Sequence, residues 1–119
     1  MKLGIGLINM NSKYIIVRTF CDKEEIANKI IDTLLEKRLV SGTQKSEVYS
    51  KYWWNGELEE CIEYKLEFRT KLNLFDKVSE VIRNIHDYEV CEITYNVIDG
   101  GNKEIFDWID ESVVNEVFV

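Results

Sequence analysis

Two hydrophobic patterns of different period meet at His86-Asp87-Tyr88-Glu89-Val90-Cys91-Glu92-Ile93. Before this junction segment, apolar residues recur every three or four positions as far as Ile85, as on one face of a helix. After it, Tyr95 and Val97 alternate with polar residues, which is typical of a half-buried strand. The segment therefore predicts a passage from helix to strand, and binding groups are common in such connections because rigid elements hold them on both sides.

The junction segment also collects side chains that bind metal ions. It contains the only histidine of the chain, one of its three cysteines and three acidic residues. Imidazole, thiolate and carboxylate groups are the usual ligands of zinc and copper. We therefore consider His86, Glu89, Cys91 and Glu92 as candidate metal ligands. One histidine per chain cannot build a closed tetrahedral site alone, so further donors must come from this segment or from another copy of the chain.

Each of these residues also has a purely structural interpretation. A protonated histidine in the last turn of a helix interacts favourably with the helix dipole. Cys91, at the start of a strand, is also typical of a small buried apolar side chain. Glu89 and Glu92 could be solvated surface acids, and Tyr88 could be a packing residue whose hydroxyl group is hydrogen-bonded. The pattern alone leaves both interpretations open.

The composition indicates one globular domain. The chain has 119 residues, of which 45% are hydrophobic, and it has no apolar run near the ~20 residues that span a bilayer. A net charge of −7 argues against a nucleic-acid surface, which needs clustered Lys and Arg. Three cysteines without CxxC spacing predict reduced thiols rather than a disulfide framework. We expect a cytoplasmic protein with no membrane or nucleic-acid partner.

The N-terminus predicts a short extension ahead of that domain. Residues 1–12 begin like a signal sequence but are too short and lack a cleavage pattern of small residues. We interpret them as an extension of unknown structure and residues 13–119 as a single domain. The apolar tail from Val113 onward is expected to pack against that domain.

The first half of the domain predicts a strand followed by a helix. Residues 13–20 include a continuous β-favouring run, which suits a central strand buried on both faces. Asp22 and Glu25 have the spacing of a capping box. An apolar stripe at helical spacing then extends the predicted helix to about Lys37.

A hairpin is predicted next. Residues 48–54 and 61–70 flank Asn55-Gly56, a strong signal for a type I′ turn because both central residues of that turn need positive φ. The second strand places Ile62, Tyr64, Leu66 and Phe68 on a packed face and Glu63, Lys65, Glu67 and Arg69 on a partly solvated one. The first strand carries large aromatic residues on both faces, so we expect a partner subunit to cover it.

The remaining elements complete a recognisable order. Asn73 is expected to cap a helix over residues 74–85, and residues 92–98 predict a strand. Asn102 is expected to cap a last helix that carries Trp108. The order β-α-β-β-α-β with an added C-terminal helix predicts an α+β protein with a ferredoxin-like antiparallel sheet and two helices on one face.

The junction segment resembles a signature of the CutA divalent-cation tolerance proteins, His-Pro-Tyr-Glu-Val-Pro-Glu-Ile. Asp87 and Cys91 stand where that signature has prolines. Further matches are Tyr52-Trp53-Trp54-Asn55-Gly56 with Tyr-x-Trp-x-Gly, Glu63 with a strand glutamate, Arg69-Thr70 with Lys-Thr, and Asp107-Trp108-Ile109 with Asp-Trp-Ile. Gly42 replaces a cysteine of the family. The resemblance covers residues 14 to 112 and implies a compact homotrimer.

The resemblance implies a divalent-cation tolerance protein that binds a metal such as copper or zinc. The metal site would be formed by His86, Glu89, Cys91 and Glu92. It would lack the thiolate ligand of the family, because Gly42 replaces that cysteine. We expect no enzymatic activity, because the chain has no nucleophile elbow, P-loop or GxGxxG motif.

The alternative is a trimer similar to the PII-type signalling proteins. Such a trimer binds a small effector in a cleft between subunits and docks on partners. The candidate cleft residues here are Glu63, Arg69 and Tyr88.

Overall fold

The computed structural model describes residues 13–115, and the predicted N-terminal extension lies outside them. The described part of the chain forms β1 (Tyr14–Cys21), α1 (Glu24–Glu36), β2 (Gly42–Trp54), β3 (Glu57–Lys71), α2 (Phe75–Ile85), β4 (Thr94–Val97) and α3 (Lys103–Ser112). A 3₁₀ turn (Leu72–Leu74) precedes α2. In this described range, no helix is both long enough and apolar enough to cross a membrane.

The four strands form one antiparallel sheet in the order β2-β3-β1-β4. β1 therefore lies in the centre of the sheet, as predicted. Together with the chain order, this strand order gives the ferredoxin-like, split βαβ arrangement. The predicted α+β fold with an added C-terminal helix is confirmed.

The core lies between the sheet and its helices. Along β1 the fully buried residues are Ile15, Val17, Thr19 and Cys21, and the residues between them are only half-buried. Ile30 and Leu34 of α1 and Val78 and Ile82 of α2 complete this layer. The prediction that β1 is buried on both faces is therefore wrong for the described chain, because the helices cover only one face.

Two of the three predicted helix caps are wrong. Lys23 and Leu74 occupy the N-cap positions of α1 and α2, and neither helix has a side-chain capping bond. Asn73 lies inside the 3₁₀ turn, which shifts the start of α2 by one residue. Asn102 does occupy the N-cap of α3, but its side-chain amide donates to Oε1 of Glu104 at 3.2 Å.

The end of α1 is closed by a residue other than glycine. Arg38 has a φ of +53°, in the left-handed region. Its N–H donates to the Leu35 carbonyl, and the N–H of Leu39 donates to the Leu34 carbonyl, both at 3.0 Å. This is a Schellman motif, in which glycine is the usual residue. Gly42 does not make the turn, because it is already the first residue of β2.

The C-terminal tail packs as far as it is described. The N–H of Val114 donates to the Arg38 carbonyl at 2.9 Å, and Val113 is buried. The prediction of a packed tail is confirmed for these two residues. Residues 116–119 lie outside the described range.

A long hairpin projects from the sheet. β2 pairs with β3 from Gly42 to Trp54, whereas β1 pairs with β3 only from Tyr64 onward. Residues 48–63 therefore form a two-stranded hairpin arm. At its tip Asn55 and Gly56 have φ values of +53° and +81°, as the sequence predicted for the turn.

The hairpin arm exposes large apolar side chains. Trp53 is 71% exposed, Tyr49 61% and Ile62 55%. Ile62 was expected on a packed face, and this is wrong within one chain, because the arm extends past the end of β1 and the helices. An uncovered two-stranded hairpin is marginally stable in water, so the arm requires a cover.

Candidate functional site

A cavity of about 770 Å³ lies along the hairpin arm, with Glu63 at the base of the arm and Trp54 near its tip both in the lining, and we call it the arm cavity. The end of β1, the first strand of the arm and the junction segment supply its walls. Its lining residues are Phe20, Tyr49, Ser50, Lys51, Tyr52, Trp54, Glu63, Tyr88, Glu89, Val90 and Glu92. Five of these side chains are aromatic, three are carboxylates and one is an ammonium group.

Glu63 and Tyr88 meet in the wall of the cavity. The Tyr88 hydroxyl donates to Oε2 of Glu63 at 2.6 Å, and Glu63 is only 6% exposed. Burial and the bond to this carboxylate raise the pKa of Tyr88 far above its ordinary value. The phenol therefore remains a proton donor at neutral pH. The sequence predicted Glu63 on a partly solvated face of the strand. In the structure it is buried and accepts a hydrogen bond from Tyr88.

His86 has both ring nitrogens engaged. Its Nε2 lies 2.6 Å from the Phe20 carbonyl oxygen, and its Nδ1 lies 3.2 Å from the N–H of Tyr88. A carbonyl oxygen only accepts, so Nε2 carries the proton and Nδ1 accepts. The side chain is 1% exposed. The geometry therefore argues against His86 as a direct metal ligand, because neither nitrogen offers a free lone pair.

The same bonds give His86 a positioning role. It follows α2 directly, and its N–H still bonds to the Ile82 carbonyl at 2.9 Å. Its ring also contacts the Tyr88 ring, with centroids 4.6 Å apart. His86 thus joins the end of α2 to the end of β1 and orients Tyr88 toward Glu63.

Asp87 holds the junction segment from the other side. Its carboxylate accepts a hydrogen bond from Lys23 Nζ at 2.8 Å, next to the start of α1. This bond lowers the pKa of Asp87 and raises the pKa of Lys23. An ion pair therefore tethers the segment at one of the positions where the CutA signature has proline.

The other predicted metal ligands do not converge within one chain. Glu89 and Glu92 are exposed and line the arm cavity, whereas Cys91 is half-buried and is not a lining residue. Among residues 13–115 no group of three or more His, Cys, Asp or Glu side chains is placed to hold a metal ion. Metal binding by these residues stays a prediction that requires donors from outside the single chain.

The predicted cleft residues are brought together in part. Glu63 and Tyr88 are bonded to each other, but Arg69 does not line the arm cavity. Its guanidinium group instead donates to Oε1 of Gln44 at 3.4 Å. Sequence reasoning did not assign Tyr52 and Trp54 to the site, although their aromatic cluster was a visible signal, and no pattern marked Phe20.

Gly42 is packed against an indole ring. A Cβ atom built on Gly42 would lie 2.9 Å from Cη2 of Trp108, closer than real Cβ contacts allow. Trp108 therefore occupies the space that a side chain at position 42 would need.

Comparisons with known proteins agree on one family. The family model described as CutA1 divalent ion tolerance protein matches residues 15–112. The divalent-cation tolerance protein CutA of Pyrococcus horikoshii is 33% identical over 97 residues, which are 82% of this chain and 94% of that protein.

Solved structures agree as well. The periplasmic divalent cation tolerance protein CutA from Archaeoglobus fulgidus superposes with a TM-score of 0.82 at 30% identity, covering 85% of this chain and 99% of that one. CutA1 from Oryza sativa has a TM-score of 0.84 at 23% identity, covering 91% of this chain and 100% of that one, and shows the fold alone.

Proposed function

The chain belongs to the CutA1 divalent ion tolerance protein family, and from this premise we propose that it is a homotrimer that binds divalent cations at the seams between its subunits. One observation carries the proposal. The hairpin arm has exposed aromatic side chains on both faces, and those of Tyr52 and Trp54 line a cavity together with the exposed residues Glu89 and Glu92. A neighbour that covers the arm would bring its own donor groups to those carboxylates.

The assembly follows from the exposed arm. Trp53, Tyr49 and Ile62 are exposed apolar side chains on one face of the arm, and a second copy of the chain can bury them. A ring of three copies would cover every arm in the same way. The 52 Å length of a chain only 28 Å wide suits an arm that reaches across to a neighbour.

The choice of metal follows from the donors. Glu89 and Glu92 supply carboxylate oxygens, and Cys91 would supply a thiolate where a subunit contact exposes it. Such mixed sites bind Cu²⁺ more tightly than Zn²⁺ by the general affinity order. We assign His86 to positioning rather than to metal binding. A cytoplasmic location and the absence of catalysis remain predictions.

Two measurements test this proposal. The first is the mass in solution by light scattering, which should equal three chains. The second is calorimetry with Cu²⁺ and Zn²⁺ on the natural chain and on a Glu89→Gln/Glu92→Gln variant, which should bind more weakly. A Glu25→Gln/Glu36→Gln variant removes two exposed carboxylates of α1 and serves as the matched control. A mass in solution equal to one chain would contradict the proposal. So would a Glu89→Gln/Glu92→Gln variant that binds the metal ions as tightly as the Glu25→Gln/Glu36→Gln control.

A second candidate function has its own observation in favour. The arm cavity falls within the range of roughly 300–1,000 Å³ typical of small-molecule sites. Aromatic side chains outnumber acidic ones in its lining by five to three, and such a wall suits an organic effector better than a bare ion. We therefore retain the small-effector trimer as the alternative.

A further inference from the structure

We infer that the arm cavity binds a small organic cation, a primary or quaternary ammonium or a guanidinium compound, against the rings of Trp54 and Tyr52 and facing the carboxylates of Glu89 and Glu92. The inference rests on the second candidate function and names the chemical class of its effector. It is independent of whether the protein also binds a metal ion.

The first support is the aromatic wall. Val48 lies opposite Glu63 in the sheet, so the two side chains are on the same face. Every second residue along a strand shares a face, which puts Ser50, Tyr52 and Trp54 on the face of Val48. Tyr52 and Trp54 therefore lie on the same face of the arm as Glu63. Both rings are 40% exposed, so they are accessible to a ligand. A cation over the face of such rings is attracted by their quadrupole, and more strongly as the site loses water.

The second support is the sign of the charge. The lining carries three carboxylates, and its one basic side chain, Lys51, lies opposite Glu60 in the sheet. The cavity is therefore net negative and disfavours phosphorylated effectors such as nucleotides. Glu63 and Tyr88 add a buried hydrogen-bonded pair to the wall. The carboxylate of Glu63 contributes to the negative charge that attracts a positive ligand.

The third support is the spacing of the carboxylates. A metal ion needs donor atoms about 2.0–2.6 Å away on several sides. No three acidic, cysteine or histidine side chains of residues 13–115 are close enough to meet that demand. An organic cation spreads its charge over several atoms and covers apolar surface with its body, so it can face the two carboxylates and the aromatic rings of the cavity together.

Calorimetry on the full chain tests the inference. Benzyltrimethylammonium is the cationic probe, benzyl alcohol the neutral aromatic control and ATP the anionic control. We expect binding of the cation alone. Trp54→Leu should weaken that binding about tenfold, which lies within the range of a cation–π contact. Tyr95→Leu, which removes an equally exposed ring on β4 that does not line the arm cavity, should leave it unchanged.

The outcomes are separable from those of the metal proposal. A second variant, Glu89→Gln/Glu92→Gln, should also weaken binding of the cation. Because both positions are exposed, its circular dichroism spectrum should match that of the natural chain. No heat with benzyltrimethylammonium, equal affinity for benzyl alcohol, or equal losses from Tyr95→Leu and Trp54→Leu would each overturn the inference. Binding of the organic cation without heat from Cu²⁺ or Zn²⁺ would support it while the metal proposal alone fails.

Discussion

The hydroxyl group of Tyr88 donates a hydrogen bond to Oε2 of Glu63 at 2.6 Å, which joins the junction segment to the base of the hairpin arm. Tyr88 is itself placed by His86, whose ring accepts the Tyr88 N–H. The wall of the arm cavity is therefore built from groups that are distant in sequence and mutually dependent.

Tyr88→Phe should lower the free energy of unfolding by about 1–3 kcal/mol, because it leaves the buried carboxylate of Glu63 without its donor. The measurement is urea denaturation at one fixed protein concentration, since assembly makes stability concentration-dependent. Tyr95→Phe, at a tyrosine 40% exposed on the edge strand, is the matched control. A Tyr88→Phe variant as stable as the control would show that the bond contributes nothing.

The ring of His86 should be the Nε2–H tautomer when neutral, because the Phe20 carbonyl can only accept. Nitrogen chemical shifts of the imidazole report this directly. Addition of Zn²⁺ should leave both ring nitrogens unchanged, because neither has a free lone pair. An Nδ1–H tautomer, or ring shifts that saturate with Zn²⁺, would restore His86 as a ligand.

Gly42→Ala should destabilise the chain by roughly 1–3 kcal/mol, the usual penalty of overpacking. Its new Cβ would lie 2.9 Å from Cη2 of Trp108, so the indole must move. Gly100→Ala is the control, because no atom lies within 4 Å of a Cβ there. Thermal unfolding of both variants decides the matter. Equal melting temperatures would mean that Trp108 shifts without penalty.

Arg38→Gly should stabilise the chain by about 0.5–1 kcal/mol. A left-handed backbone costs an L-residue about 1–2 kcal/mol, and the larger unfolded-state entropy of glycine offsets part of the gain. Arg38 has a φ of +53°, and its carbonyl bond to Val114 needs no side chain. Lys37→Gly, one residue earlier with a right-handed helical backbone, should destabilise instead. An Arg38→Gly variant that is no more stable than the natural chain would refute the strain argument.

Alkaline pH should weaken the fold through Tyr14. Burial first, and then its hydrogen bond to Asp110, raise the pKa of Tyr14 to about 12. The unfolded residue ionises near pH 10, so this contribution is complete below about pH 10. It is lost as the pH rises toward the folded value of about 12. Between those two pH values the urea midpoint of Tyr14→Phe should fall less steeply with pH than that of the natural chain. Parallel curves of urea midpoint against pH would contradict the prediction.

The fold could be predicted largely from local patterns. The Asn55-Gly56 turn, the order of the elements along the chain and the helical stripes follow from neighbouring residues, and all three are confirmed. The predicted caps at Asp22 and Asn73 failed, because a capping pattern only permits a bond that the local backbone must also allow. The hairpin strands also extend further than predicted, from Gly42 and to Lys71.

The candidate site was predicted less well. The junction segment was correctly singled out as a place where binding groups gather, and the structure brings Glu63 and Tyr88 together. The metal-ligand role predicted for His86 depended on its residue type, its neighbours in the junction segment and the CutA resemblance. Its chemistry depends instead on the Phe20 carbonyl, which is 66 residues away in the chain.

By itself the sequence determined the elements, their order and the family, because periodicity and turn chemistry act over a few residues. Only the tertiary structure decided that Glu63 is buried, that the His86 ring is already occupied, and that aromatic rings of the arm face the carboxylates of the junction segment. These properties depend on which distant groups become neighbours. Desolvation and hydrogen bonding between such neighbours set the chemistry of each group, and no spacing along the chain encodes them.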